Sequence, residues 1–109
     1  MALNNYGPED IQFISVNLTT SGDLKAAVPN RKIRVISYAL VASAAFTCTF
    51  NSGTGPTAKS GPMSLAANGG VSFAGGVTAP AFETGTGEKL TLTLSGSGTV
   101  AGHVAYVLV

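Results

Sequence analysis

Apolar and polar residues alternate with a period of two over most of this chain, and most cleanly near its end. Across residues 89–95, Leu90, Leu92 and Leu94 fall on one side and Lys89, Thr91 and Thr93 on the other. Successive side chains of a strand point to opposite faces, so this spacing predicts a half-buried β-strand. Ser95-Gly96-Ser97-Gly98 supplies a turn, and residues 99–109 form a second strand. There both faces are apolar: Val100, Val104, Tyr106 and Leu108 oppose Ala101, Ala105, Val107 and Val109. A strand without a polar face must be covered on both sides. The cover is expected from an opposing sheet or from a neighbouring subunit.

The same reading applied upstream predicts strands throughout. Residues 11–18 place Ile14, Val16 and Leu18 opposite Ile11 and Phe13. Ser21-Gly22-Asp23 reads as a turn, and residues 24–28 as a short strand stopped by Pro29-Asn30. Residues 32–43 form the longest run, with Ile33, Val35, Ala39 and Val41 opposite Lys32, Arg34, Ile36, Tyr38 and Leu40. Residues 45–50 alternate Phe46, Cys48 and Phe50 with Thr47 and Thr49. A loop over 51–62 follows, then short apolar pieces at 63–67, 71–74 and 81–83, with an Asn68-Gly69 turn between the first two. The sum is about eight strands at spacings of about 8–12 residues, with glycine and proline between the runs and no amphipathic helix. The expected fold is all-β: a single antiparallel β-sandwich, as a jelly roll in preference to other Greek keys. It is one domain, with residues 1–30 as an N-terminal segment, partly strand and a candidate attachment arm, and 31–109 as the sandwich core.

Composition changes the picture in one respect. Charged residues make up 10% of the 109 residues and apolar ones 45%, against roughly 25% charged in an ordinary domain. That balance excludes disorder, and a weakly charged surface favours association. The net charge is +1, with Arg31, Lys32 and Arg34 as the longest basic cluster, so no nucleic-acid partner is expected. No apolar run approaches the ~18 residues of a membrane span, and Met1-Ala2-Leu3-Asn4-Asn5 lacks the features of a secretory signal. The expectation is a protein made in the cytoplasm, without a membrane partner. Asn17-Leu18-Thr19 is then a chance sequon match.

Candidate chemistry is sparse. Gly53-Thr54-Gly55-Pro56-Thr57-Ala58-Lys59-Ser60 approximates a phosphate-binding loop, but the mechanism needs a helix beginning at the Lys-Ser, and Gly61-Pro62 comes next. A mobile inter-strand loop is the better reading. His103 could act as a base beside a serine, oriented by Asp10 or Asp23; its strand position favours a structural or interface histidine. Cys48, between Phe46 and Phe50, reads as a buried small hydrophobe. Glu83 and Glu88 flank Thr84-Gly85-Thr86-Gly87, whose oxygens could hold calcium or simply solvate a loop. One His and one Cys fall short of a zinc set. No catalytic residue, metal or cofactor is therefore expected, and the protein is not expected to be an enzyme.

An ordered set of short strings carries a family resemblance. It comprises Lys32-Ile33-Arg34-Val35, Ser37-Tyr38, Leu40-Val41-Ala42-Ser43, Gly61-Pro62-Met63 and Leu65-Ala66-Ala67-Asn68-Gly69-Gly70. Further on come Phe82-Glu83-Thr84, Gly87-Glu88 with Leu90, Leu92, Leu94 and Ser95, Gly102-His103-Val104, and Tyr106-Val107. Over 31–109 the chain resembles small all-β virion proteins of tailed bacteriophages and prophages, most of all head decoration (cement) proteins. The resemblance implies a compact sandwich on the capsid exterior that binds the major capsid protein and stabilises the assembled lattice, as a homotrimer. Residues 1–30 depart from the pattern, and so does the looser stretch 75–80. Tyr6, Phe13, Tyr106, Val107 and Val109 are the candidate interface residues. The alternative is a tail- or fibre-associated sandwich that contacts a host glycan or receptor.

Overall fold

The computed structural model describes residues 11–109. Among them are ten strands and no helix, two strands more than the pattern predicts. They are β1 (Gln12–Leu18), β2 (Gly22–Lys25), β3 (Ile33–Ala42), β4 (Phe46–Ser52) and β5 (Thr57–Ala58), then β6 (Met63–Leu65), β7 (Gly70–Ala74), β8 (Phe82–Glu83), β9 (Leu90–Leu94) and β10 (Val100–Leu108). The additions are short. Residues 51–62, expected as a loop, begin by completing β4 and then turn back as β5, which pairs Ala58 with Asn51. The second strand begins earlier than expected and ends at Lys25, so Gly22 and Asp23 pair with β9 instead of forming the turn.

Two antiparallel five-stranded sheets result. One runs β2-β9-β4-β5 with β6 also on β4; the other runs β1-β10-β3-β7 with β8 also on β3. The core lies between them. Phe46, Cys48, Phe50, Leu65, Leu90 and Leu92 come from the first sheet, and Val16, Ile33, Val35, Leu40, Val100, Val104 and Tyr106 from the second. The fold is therefore all-β and sandwich-like. Phe50, fully buried, sits at its centre with Tyr38 and Phe82 at ring-centroid distances of 4.9 and 5.1 Å. The expected turn at Asn68-Gly69 is present, with Asn68 at φ 62° and the Gly69 N–H donating to the Ala66 carbonyl at 2.9 Å.

The alternation in β3 changes phase. Against β10, Ser37 pairs with Ala105 and Val35 with Tyr106, so Ile36 is an extra residue in a β-bulge. A bulge inserts one residue and shifts every later side chain to the other face. Ile33 and Val35 face the core before it; Tyr38, Leu40 and Ala42 face the core after it. A strict alternation therefore assigns Ala39 and Val41 to the wrong side. Val41 points out and is 52% exposed.

The bulge also accounts for the two-faced final strand. Ile36 turns outward to meet Ala105 and Val107, making a second, smaller apolar cluster with Val77 and Val109 on the far side of the sheet. Val77 belongs to the loop between β7 and β8. That loop is held by Gly75 N–H to Ile36 carbonyl (2.9 Å), Ala81 N–H to Val35 carbonyl (2.8 Å) and Arg34 Nη1 to Val77 carbonyl (2.9 Å). The cover expected from an opposing sheet or a subunit is a loop of the same chain, because the bulge brings Ile36 within its reach. Only the second half of β10 needs it: Ala101 and His103 are exposed, whereas Ala105 and Val107 are buried.

Candidate functional site

In an antiparallel sheet, directly paired residues share a face. Register therefore defines the outer surface of the β1-β10-β3-β7 sheet. One row is Asn17, Ala101, Val41 and Gly70; the next is Ser15, His103, Ala39 and Ser72; the third is Phe13, Ala105, Ser37 and Ala74. These twelve positions span about 14 Å between Cα atoms in each direction. None is Asp, Glu, Lys or Arg, and His103 is the one ionisable side chain. Most are Ala, Ser or Gly, so the face is flat. Phe13, 71% exposed, and Val41 stand out from it. A surface without charge loses little hydration free energy when a partner covers it, and interface cores are likewise depleted of charge.

The charges lie elsewhere and are largely paired. Arg34 Nε donates to Glu83 Oε2 at 2.5 Å with Lys32 Nζ 3.8 Å from the other oxygen, and Lys89 Nζ is 3.0 Å from Asp23. Arg31 Nη2 donates to the Leu108 carbonyl at 2.9 Å. The three basic residues of 31–34 thus act within the fold, tying its last strand and the β8 edge.

The candidate chemical groups are kept apart by the same architecture. Asp23 lies on the opposite sheet from His103, and Asp10 lies outside the described residues. His103 pairs across strands with Ser15 and Ala39 on the open face. Glu83 and Glu88 do not converge. Glu83 is held by Arg34, while Glu88 Oε1 accepts a hydrogen bond from Ser52 Oγ at 2.6 Å. Ser52 Oγ also accepts from the Gly85 N–H (2.9 Å), and Thr84 Oγ1 accepts from the Ile33 N–H (2.9 Å). The oxygens expected as cation ligands thus fasten a loop to the sheet. Among the described residues no group of three His, Cys, Asp or Glu side chains could hold a metal. The phosphate-loop-like string forms the β4–β5 hairpin and its exit. The Lys59 N–H and the Ser60 Oγ both bond the Phe50 backbone, at 2.7 and 3.0 Å.

Cys48 is fully buried, and burial raises its thiol pKa by disfavouring the thiolate. Alkylation requires the thiolate and access to it. The folded protein is expected to resist iodoacetamide at pH 8 for as long as it stays folded, with labelling tracking unfolding in denaturant. Rapid stoichiometric labelling of native protein would contradict this. A thiol pKa raised on folding means that, above the ordinary value of about 8.5, the unfolded chain loses a proton that the native chain keeps. Cys48 therefore lowers stability as pH climbs through that range.

Of the candidate interface residues, Tyr6 lies outside the described residues. Phe13 faces outward and Val109 is half-buried at the rim of the second cluster. Tyr106 and Val107 are buried within the chain, at 3% and 0% exposure, and Tyr106 donates its hydroxyl to Gln12 Oε1 at 2.8 Å. They present no surface to a partner. Val41 is the outward residue that alternation misses; the signal was the apolar pair Val35-Ile36, which a simple strand cannot bury on one side. Comparison with protein-family models, with characterised proteins and with solved structures finds no match.

Proposed function

We propose that this protein is a non-enzymatic structural component of a bacteriophage virion, a head decoration (cement) protein that binds the major capsid protein on the outside of the assembled capsid. The charge-free outer face of the β1-β10-β3-β7 sheet carries the proposal. It suits burial against another protein surface, and it offers no convergent polar groups for a small substrate. A cement protein acts by mass action: binding the assembled lattice and not its dissociated subunits shifts the equilibrium against disassembly. The strand orders β1-β10-β3-β7 and β2-β9-β4-β5 support a jelly-roll reading, in which successive strands alternate between two sheets as a ribbon is rolled up. Self-association, as the homotrimer that the resemblance implies, would present several such faces to the lattice at once.

Co-sedimentation with expanded capsids lacking their decoration protein tests this. Saturable binding is expected, and a Val41→Lys change should weaken it at least tenfold without moving the unfolding midpoint by more than about 1 kcal/mol, because Val41 is exposed. Protein that ignores capsids and instead sediments with cell-surface polysaccharide would replace this reading by a tail- or fibre-associated role.

A further inference from the structure

We infer that two copies of this chain associate through β1, pairing antiparallel about a two-fold axis at Ser15 so that the β1-β10-β3-β7 sheets of both copies become one. Among the described residues β1 pairs only with β10, in an unbroken register from Gln12–Tyr106 to Leu18–Val100. Its other side is a row of backbone donors and acceptors whose geometry only another extended strand satisfies fully.

Natural edge strands are blunted by lysine, proline, bulges or shortness. β1 has none of these: it is seven residues long, carries no charge or proline, and has no register shift. Its own sequence is compatible with a two-fold. With Ser15 opposite Ser15 of the second copy, Ile14 falls opposite Val16 on the core side and Phe13 opposite Asn17 on the outer side. Like faces like on both surfaces, and no charge is desolvated or opposed.

Apolar exposure is concentrated here as well. Two of the four exposed large hydrophobic residues, Ile11 and Phe13, lie in or immediately before β1. The two Phe13 side chains, each 71% exposed, offer about 300 Å² of apolar surface together. That is about a third of what a stable dimer buries, roughly 1,000 Å². The backbone edges and Ile11 add to it, so the dimer is expected to depend on concentration. The inference does not rest on the capsid reading, and it replaces three-fold by two-fold self-association.

Cross-linking tests the register directly. Opposed Cα atoms in an antiparallel pair lie about 4.5–5.5 Å apart, inside the disulfide range, and the native Cys48 is buried and does not compete. Under mild oxidation, Ser15→Cys is expected to give more than half of the protein as a covalent dimer. Phe13→Cys should give at least tenfold less, since those positions sit about 14 Å from one another across the axis. Sedimentation of the unaltered full-length protein over a hundredfold concentration range should show monomer converting to dimer. Ser15→Lys should raise the dissociation constant at least tenfold, with partial recovery in high salt. A monomer or trimer throughout, or equal cross-linking from both cysteine variants, would overturn the inference.

Discussion

Removing residues 106–109 is expected to abolish cooperative folding. Tyr106 belongs to the inter-sheet core and Val107 to the outer cluster, so one deletion opens both apolar clusters. Loss of each buried side chain costs about 2–5 kcal/mol, against a total stability of about 5–15 kcal/mol. The deletion also strips β3 of its partner. The reciprocal Lys32–Val109 backbone bonds (2.8 and 3.0 Å) disappear, together with the Arg31 anchor on Leu108. Circular dichroism and chemical unfolding are the measurements, and a chain lacking a sigmoidal transition is the expected result. Val107→Ser refines the test: it leaves the strand in place and should stay folded while losing about 2–4 kcal/mol. A truncated chain that unfolds cooperatively within about 1 kcal/mol of the full chain would show that the end of β10 is dispensable.

Gly102→Ala is expected to be nearly as damaging, although Gly102 is exposed and lies in an otherwise ordinary strand sequence. Its φ of 147° belongs to a region that residues with a Cβ rarely adopt. A Cβ there would land on the Ala39 carbonyl oxygen, 2.9 Å from its carbon and 3.1 Å from the Leu40 Cα. Those atoms are backbone of β3, the central neighbour of β10, and cannot swing aside as a side chain would. Strain and clash together should cost about 3–5 kcal/mol, a fall in melting temperature of at least about 12 °C. Gly61→Ala is the control, since nothing lies within 4 Å of its Cβ position and its φ is ordinary. It should move the midpoint by less than about 1 kcal/mol. Near-neutral behaviour of Gly102→Ala would mean that β3 and β10 can separate locally at little cost.

Both expectations bear on the docking face, because β10 and β3 form its middle. Gly102 lets β10 press against the Ala39–Leu40 backbone, which helps to keep the surface above it flat. The loop over Ile36, Ala105 and Val107 closes the remaining apolar patch without outside help. What is left for a partner is the smooth field around Ser15, Ala39, Val41 and Ala101, together with the β1 edge. The candidate surface is thus defined partly by what the chain has already covered.

Much of this was legible from spacing alone. Leu90 and Leu92 are fully buried as their alternation requires, and so are Cys48 and Phe50. The Asn68-Gly69 turn and the all-β class follow from residue types whose backbone preferences are strong and local. The failure in β3 was also local in origin but not in cause. Ile36 is apolar and β-branched, and nothing in its neighbours distinguishes a core position from an extra residue. Only pairing with β10 and the availability of Val77 decide that it turns outward. Glu83 and Glu88 illustrate the same limit: five residues apart in an oxygen-rich loop, they are drawn to Arg34 and Ser52 respectively, partners about 50 and 36 positions away.

The sequence by itself determined that this chain is built of strands, which side chains of β4 and β9 face inward, and that its final strand needs cover on two sides. Tertiary structure decided what supplies that cover, where β3 changes phase, and which apolar residues remain for a partner. The division follows from the range of the forces involved. Alternation and turn chemistry are set by a residue and its immediate neighbours, whereas a bulge, a covering loop and an open sheet face exist only once strands distant in sequence have paired.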